Sequence, residues 1–271
     1  MARHSQALVV IPMKFYRRWK RRFRDGLGQT QQLLAQCLRA GDPETVHDLR
    51  VTLRRTRLLA LVGAPALGKD RSTRFRQWAL KLSTTLGRAR DCGVMLQWLE
   101  NHSIDARRAP ALHQERSRVW RQTRPKLLAL SRLQWNKSLQ CESSAAKHRK
   151  LRKRFLKQVS KHRQVLRQTA AHFNSLNPSG RHEFRRILRR LRYLRELALR
   201  RPEQASDRRL KCLIAFQEAL GEMQDCSIVD AFFKSRPSNL RKEVVTLAGV
   251  EEQKWARRAE KHLQTFLRQR G

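Results

Sequence analysis

The segment Val46-His47-Asp48-Leu49-Arg50-Val51-Thr52-Leu53-Arg54-Arg55-Thr56-Arg57-Leu58 carries three arginines three, seven and ten residues after a histidine. At 100° per residue, His47, Arg50, Arg54 and Arg57 fall within about 80° on one helix face, while Val46, Leu49, Leu53 and Ala60 fall on another. Each guanidinium is a planar fork of donors that matches phosphate oxygens in bidentate geometry, so a row of arginines on successive turns suits a row of phosphates. No carboxylate is interleaved on that face. Like-charge i,i+4 pairs cost a few tenths of a kcal/mol each in an isolated helix, so relief is expected from outside the helix. A histidine among arginines is biased toward neutrality and a polyanion reverses that bias, which reads His47 as a pH-sensitive phosphate donor.

The same design occurs 135 residues further on, in Arg181-His182-Glu183-Phe184-Arg185-Arg186-Ile187-Leu188-Arg189-Arg190-Leu191-Arg192-Tyr193. His182, Arg185, Arg189 and Arg192 form the basic arc; Phe184, Leu188 and Leu191 form the apolar one. A second pair of blocks follows at almost the same separation: Leu86-Gly87-Arg88-Ala89-Arg90-Asp91-Cys92 and Leu220-Gly221-Glu222-Met223-Gln224-Asp225-Cys226. Two blocks repeated in the same order predict a duplicated four-helix unit, joined through the stretch 138–146. Asp91 and Asp225, each just past a glycine, are expected to tether an arginine or a helix end, with orientation of a phosphate-contacting arginine as the alternative.

Positioning these faces requires long helices. Pro12, Pro43, Pro65, Pro110, Pro178, Pro202 and Pro237 cut the chain into segments rich in helix formers, leaving only Pro125 inside one. In the first segment Phe15, Trp19, Phe23 and Leu27 recur every fourth residue and continue to Leu34 and Leu38, with Lys14, Arg17, Arg18 and Arg21 on the other side. The pattern predicts an all-α protein with eight helices near 13–40, 44–62, 70–100, 105–136, 146–175, 181–200, 204–234 and 238–269. These make two four-helix bundles of long antiparallel helices, 13–137 and 147–269. The six tryptophans read as core or interface residues rather than base-stacking platforms.

The 271 residues hold 61 Lys+Arg against 22 Asp+Glu, a formal net charge of +39. Such self-repulsion calls for an anionic partner: nucleic acid, anionic lipid or a phosphate polymer. The hydrophobic fraction of 40% is enough for a core spread along long helices. Five cysteines, odd in number and without a CxxC, fit a reducing compartment and no metal site. The apolar run 7–11 is too short for a signal-peptide core or a membrane span, so a cytoplasmic location is expected. No GxxxxGK[ST] loop is present, no GxGxxG follows a strand, and neither histidine block supplies a carboxylate pair for magnesium. No catalysis and no cofactor are expected.

The paired VHDLRVTLRRTR and RHEFRRILRRLRY blocks, each followed by LGxxxD, resemble the CHAD family, the conserved histidine α-helical domain, over about residues 13–269. That resemblance implies two four-helix bundles related by a pseudo-twofold, with a basic central channel that binds inorganic polyphosphate. Its signature falls on His47, Arg50, Arg54, Arg55 and Arg57, and on His182, Arg185, Arg189, Arg190, Arg192 and Tyr193. Arg17, Arg18 and Arg21 of the first helix, Lys81 and Arg90 of the third, and Lys150, Lys153 and Lys157 of the fifth are expected to assist. Gln224 stands where the first half has Arg90, and Ala215 where it has Lys81, so the second half has fewer charges to offer. A triphosphatase domain with an ExExK signature, to which members of the family can be fused, is not in this chain. Polyphosphate is therefore the expected partner, with granule placement and recruitment of phosphate-metabolism enzymes as uses. The competing readings are a nonspecific nucleic-acid-binding protein and an enzyme of phosphate metabolism.

Overall fold

The computed structural model describes residues 15–133, 135, 141–236 and 238–268. The apolar run 7–11, Pro12, Pro237 and residues 138–140 of the proposed linker 138–146 lie outside these. Among the described residues the fold is all-helical: α1 Phe15–Ala40, α2 Pro43–Val62, α3 Ala64–Leu67, α4 Lys69–Thr85, α5 Gly87–Asn101, α6 Pro110–Ser131, α7 Ala145–Ala170, α8 Pro178–Ala198, α9 Arg201–Ser206, α10 Arg208–Lys234 and α11 Arg241–Arg268. Short 3₁₀ turns precede α6 at Ala106–Arg108 and follow α7 at Phe173–Ser175.

The two helices that carry the His/Arg motifs begin alike. Asp42 caps α2 by accepting from the Thr45 amide at 2.8 Å, and Asn177 caps α8 by accepting from the Gly180 amide at 2.8 Å. Pro43 and Pro178 follow these caps, where a missing N–H costs nothing. Gly41, at φ +62°, turns the chain between α1 and α2; a Cβ there would lie 2.2 Å from the Trp120 ring. The aromatic period of α1 packs as its spacing predicts: Trp19 and Phe23 are fully buried, and Phe23 meets Phe75 of α4 edge-on at 5.7 Å.

Two departures from the eight-helix expectation matter for the site. The helix expected over 70–100 divides at Leu86, immediately before Gly87, whereas its counterpart α10 runs unbroken through Leu220 and Gly221. The buried residues also form three apolar clusters rather than one per half. The first joins α1, α2 and α4 to Leu151 and Phe155 of α7 and Tyr193, Leu194 and Leu197 of α8. The second joins α5 and α6 to the end of α10 and the start of α11; the third lies within the second half. The halves are therefore interlocked through shared cores. Trp19, Trp78 and Trp98 are buried and Trp120, Trp135 and Trp255 are half-buried, in agreement with the packing role expected of them.

Candidate functional site

In each half the His/Arg motif rests on the LGxxxD motif. A Cβ on Gly87 would lie 3.7 Å from a terminal nitrogen of Arg50, and a Cβ on Gly221 would lie 3.1 Å from one of Arg185. Gly221 thus gives Arg185 room to lie on the facing helix, whereas at Gly87 a side chain would make only ordinary contact with Arg50. Asp91 offsets part of the charge field at Arg50, and Asp225 does so at Arg185, but neither aspartate forms an ion pair with that arginine; Asp225 pairs with Arg90 instead. Arg50 also donates to the Ser83 carbonyl, in the last turn of α4, where the break at Leu86 leaves carbonyls without intrahelical partners.

Between α2 and α8 the arginines of the two motifs converge. Arg54 is within electrostatic reach of Arg185 and Arg189, and Arg57 of Arg190 and Arg186. Arg76 of α4 joins Arg57 and Arg190 at one end, and Arg90 of α5 lies beside Arg185 and Arg50 at the other. Desolvation first, then the neighbouring guanidinium groups, makes the charged state costly: Arg189 is pushed down to about 9 and Arg50 to about 10, and Arg57, Arg185 and Arg190 are lowered in the same direction. Among the described residues, the Nε–H groups of Arg50, Arg54, Arg57 and Arg185 are buried and without a hydrogen-bond partner. Buried donors left unpaired cost about 1–3 kcal/mol each, and more when charged, so the arrangement opposes the stability of the free protein.

The histidines sit at the end where the carboxylates gather. His47 lines a cleft of about 430 Å³ with Arg90, Glu222 and Asp225. Its pKa is lowered, by desolvation first and then by Arg90 and Arg54, with Asp48 and Asp225 opposing. Arg90 pairs with Asp225 at 3.6 Å, an ion pair from one half to the other. His182 Nδ1 faces Gln224 Oε1 at 3.5 Å, the residue that replaces Arg90 in the second copy. Burial raises the pKa of Asp91 and of Glu222, Asp225 adding to the effect at Glu222.

The remaining residues singled out by sequence are placed elsewhere. Arg18 is buried and donates to the Leu197 and Ala198 carbonyls at the end of α8, so it is a helix cap. Arg55 turns from the cleft to lie over the Tyr193 ring at 5.1 Å and beside Glu196 at 3.4 Å. Arg192 is paired with Glu196 at 2.8 Å, and Tyr193 is buried in the first apolar cluster. Arg17, Arg21, Lys81, Lys150, Lys153 and Lys157 are exposed.

Three residues of the region were not singled out: Arg76, Arg186 and Arg154, which donates to the Leu61 carbonyl at 2.6 Å and adds to the field at Arg76. Arg76 did carry a signal. It shares a helix face with Ser72, Ala79 and Ser83, all small and buried, which is where a long cation can enter a packed interface. Among the described residues no three His, Cys, Asp or Glu side chains cluster as metal ligands, and no helix is long and apolar enough to cross a membrane.

The chain is thus an all-helical protein in which desolvated arginines of two repeated motifs face one another between α2 and α8. A family model described as the CHAD domain matches residues 21–234, and the chain belongs to that family. The fold is similar to the CHAD domain from the plant Ricinus communis, with 21% identity and a TM-score of 0.54 over 90% of this chain and 87% of that one. It is also similar to PptA from Streptomyces chartreusis, with 17% identity and a TM-score of 0.55 over 91% of this chain and 95% of that one. No curated protein matches the sequence.

Proposed function

We propose that the chain binds inorganic polyphosphate, without catalysis, in the cleft between α2 and α8. The observation that carries this reading is the convergence of Arg54, Arg57, Arg185, Arg189 and Arg190 with Arg76, desolvated, mutually repelling and with buried N–H groups unpaired. A thread of phosphates supplies one acceptor group after another, neutralises the row, and brings no bases that a cleft between packed helices would have to admit. The repeated motifs are read as a duplication about a pseudo-twofold, so that one polymer spans both copies and gains from effective concentration. Recruitment of phosphate-metabolism enzymes and placement on polyphosphate granules in the cytoplasm are the uses that such binding would serve.

The reading is tested by competing long-chain polyphosphate, single-stranded DNA and duplex DNA for the protein at equal charge concentration and several salt strengths. Polyphosphate is expected to win at moderate salt, and Arg54→Gln with Arg189→Gln to abolish that advantage. DNA binding that is equal or tighter, and lost in the same variant, would assign the cleft to nucleic acid instead. Metal-dependent phosphate release that disappears in His47→Ala would overturn the non-enzymatic reading.

A further inference from the structure

Helix α7 holds ten Lys or Arg in 26 residues and no Asp or Glu, alone among the described helices longer than eight residues. Its apolar stripe, Leu151, Phe155, Leu166 and Ala170, is buried, and Arg154 turns to the end of α2. Around the rest of the helix Arg149, Arg152, Lys153 and Arg167 are all exposed. Arg149, Arg152 and Lys153 lie within about 100° of one another, and about 100° to 160° from Arg154 around the helix. They face solvent, away from the arginine that looks into the protein.

We propose that this outer face of α7 is a second polyanion site, distinct from the α2/α8 cleft, and that its partner is duplex DNA. The chemistry of the two places differs. Cleft arginines are desolvated and wedged between helices, which admits a thread; the α7 cations are long, hydrated and convex, which suits the outside of a wide polyanion. At 1.5 Å per residue the exposed cations from Arg149 to Arg167 span about 27 Å, most of one turn of B-DNA, so they can meet a phosphate backbone over much of a helical turn.

The same surface argues against the other anionic partners. None of the large exposed apolar side chains, Leu80, Leu128, Leu133 and Val250, lies on α7. A membrane-surface helix would offer an apolar face to the lipid, and a protein interface would offer a buried aromatic or aliphatic anchor. The only aromatic rings of α7 are Phe155, buried against Phe15, His148, stacked on Tyr16 at 4.0 Å, and His162, which is buried. Bases of a single strand therefore find no platform, whereas a duplex presents phosphates alone. Occupation of both sites would make the protein a bridge between a phosphate polymer and DNA.

The test measures binding of a fluorescent 30-bp duplex to the full chain by anisotropy over a salt series, with three variants whose folding is checked by circular dichroism. Arg149→Gln/Arg152→Gln/Lys153→Gln is expected to weaken duplex binding by about tenfold or more at 0.1 M salt and to flatten the log–log salt slope by about 2.7, three contacts at about 0.9 each. Its polyphosphate binding should stay within about threefold of wild type. Arg54→Gln/Arg189→Gln and the α11 control Arg257→Gln/Arg258→Gln/Lys261→Gln should leave duplex binding within the same margin. Wild-type protein loaded with a short polyphosphate should still bind the duplex.

Loss of duplex binding in the α11 control to the same degree would mean net charge alone; loss in the cleft variant, or displacement by the short polyphosphate, would mean a single site. Either result overturns the inference, as does tighter α7-dependent binding to single-stranded DNA or to vesicles containing phosphatidylserine. The duplex measurements on the α7 and α11 variants stand whether or not the cleft binds polyphosphate, so failure of that reading is separately visible.

Discussion

The His/Arg faces of α2 and α8 share one sequence pattern and diverge in what they do. The first arginine of each, Arg50 and Arg185, lies over a glycine and is drawn to an aspartate, but only Arg50 has a helix end to cap, because only α4 breaks. Further along the exchange is complete. In α2 the residue ten positions after the histidine, Arg57, faces the cleft while Arg55, eight after it, turns away to Tyr193 and Glu196. In α8 the eighth, Arg190, faces the cleft and the tenth, Arg192, is held by Glu196. One glutamate with no counterpart in α2 captures an arginine from each copy. Equal spacing gives equal faces only when the neighbours are equal.

That contrast is broken most forcefully by dividing the arginines by environment rather than by copy. Replacing Arg54, Arg57, Arg189 and Arg190 with Gln should weaken polyphosphate binding by about a hundredfold or more, since each lost charged hydrogen bond is worth about 1.5–3 kcal/mol. Replacing Arg55 and Arg192, equally part of the motifs, should change it by less than about threefold. Titration calorimetry distinguishes these, and equal losses would show that the motif as a whole, rather than the cleft, makes the site.

A next effect concerns stability. Arg189 is desolvated among like charges, so its charged form opposes folding in the absence of a ligand. Arg189→Met should weaken polyphosphate binding by about tenfold while raising the Tm of the free protein by about 2–4 °C, as expected for about 1 kcal/mol in a chain of this size. Thermal scans with and without polyphosphate should show the wild type gaining more from the ligand than the variant does.

The glycines give a smaller and directional test. An added methyl at Gly221 meets the Arg185 guanidinium at 3.1 Å and must displace it, whereas at Gly87 the nearest contact, at 3.7 Å, is ordinary. Gly221→Ala should therefore weaken binding several-fold. Gly87→Ala should leave binding unchanged and add about 0.5–1 kcal/mol of helix stability.

The smallest effect separates the histidines. Desolvation, and then Arg90 and Arg54, hold the folded-state pKa of His47 below the ordinary histidine value, so the unfolded chain takes up a proton first as pH falls, and stability is lost as pH drops from about 6.5 toward the folded value. A polyanion reverses the field at His47 and raises its pKa. Binding near pH 6 should then take up less than one proton per chain, measured by calorimetry in buffers of different ionisation enthalpy, and His47→Gln should remove most of that uptake. Uptake that persists in His47→Gln would assign the coupling to other groups.

Much of the molecule could be read before any coordinates. Asp42-Pro43 and Asn177-Pro178 announce helix starts through caps that act over three residues, and the period of Phe15, Trp19, Phe23 and Leu27 announces the buried stripe of α1. The pairing of the His/Arg block with the LGxxxD block has a local rationale in the second half, where Gly221 makes room for the Arg185 guanidinium. What was misread was the range of each cation. Arg18 has the same charge and helix position as its exposed neighbours, yet it reaches the end of a helix almost 180 residues away in sequence.

The sequence by itself determined that the chain is helical, that two helices carry matched basic faces and that the net charge is +39, because helix periodicity and capping are properties of residues close in the chain and charge is a sum over them. Only the tertiary structure decided which arginines meet. The break at Leu86, the reach of Glu196, the entry of Arg76 and Arg154 and the interlocking of the three apolar clusters all depend on which helix lies opposite. Desolvation and Coulomb repulsion act through space at the distances that packing sets, and those distances turn a row of similar arginines into cleft residues, helix caps and ion-pair partners.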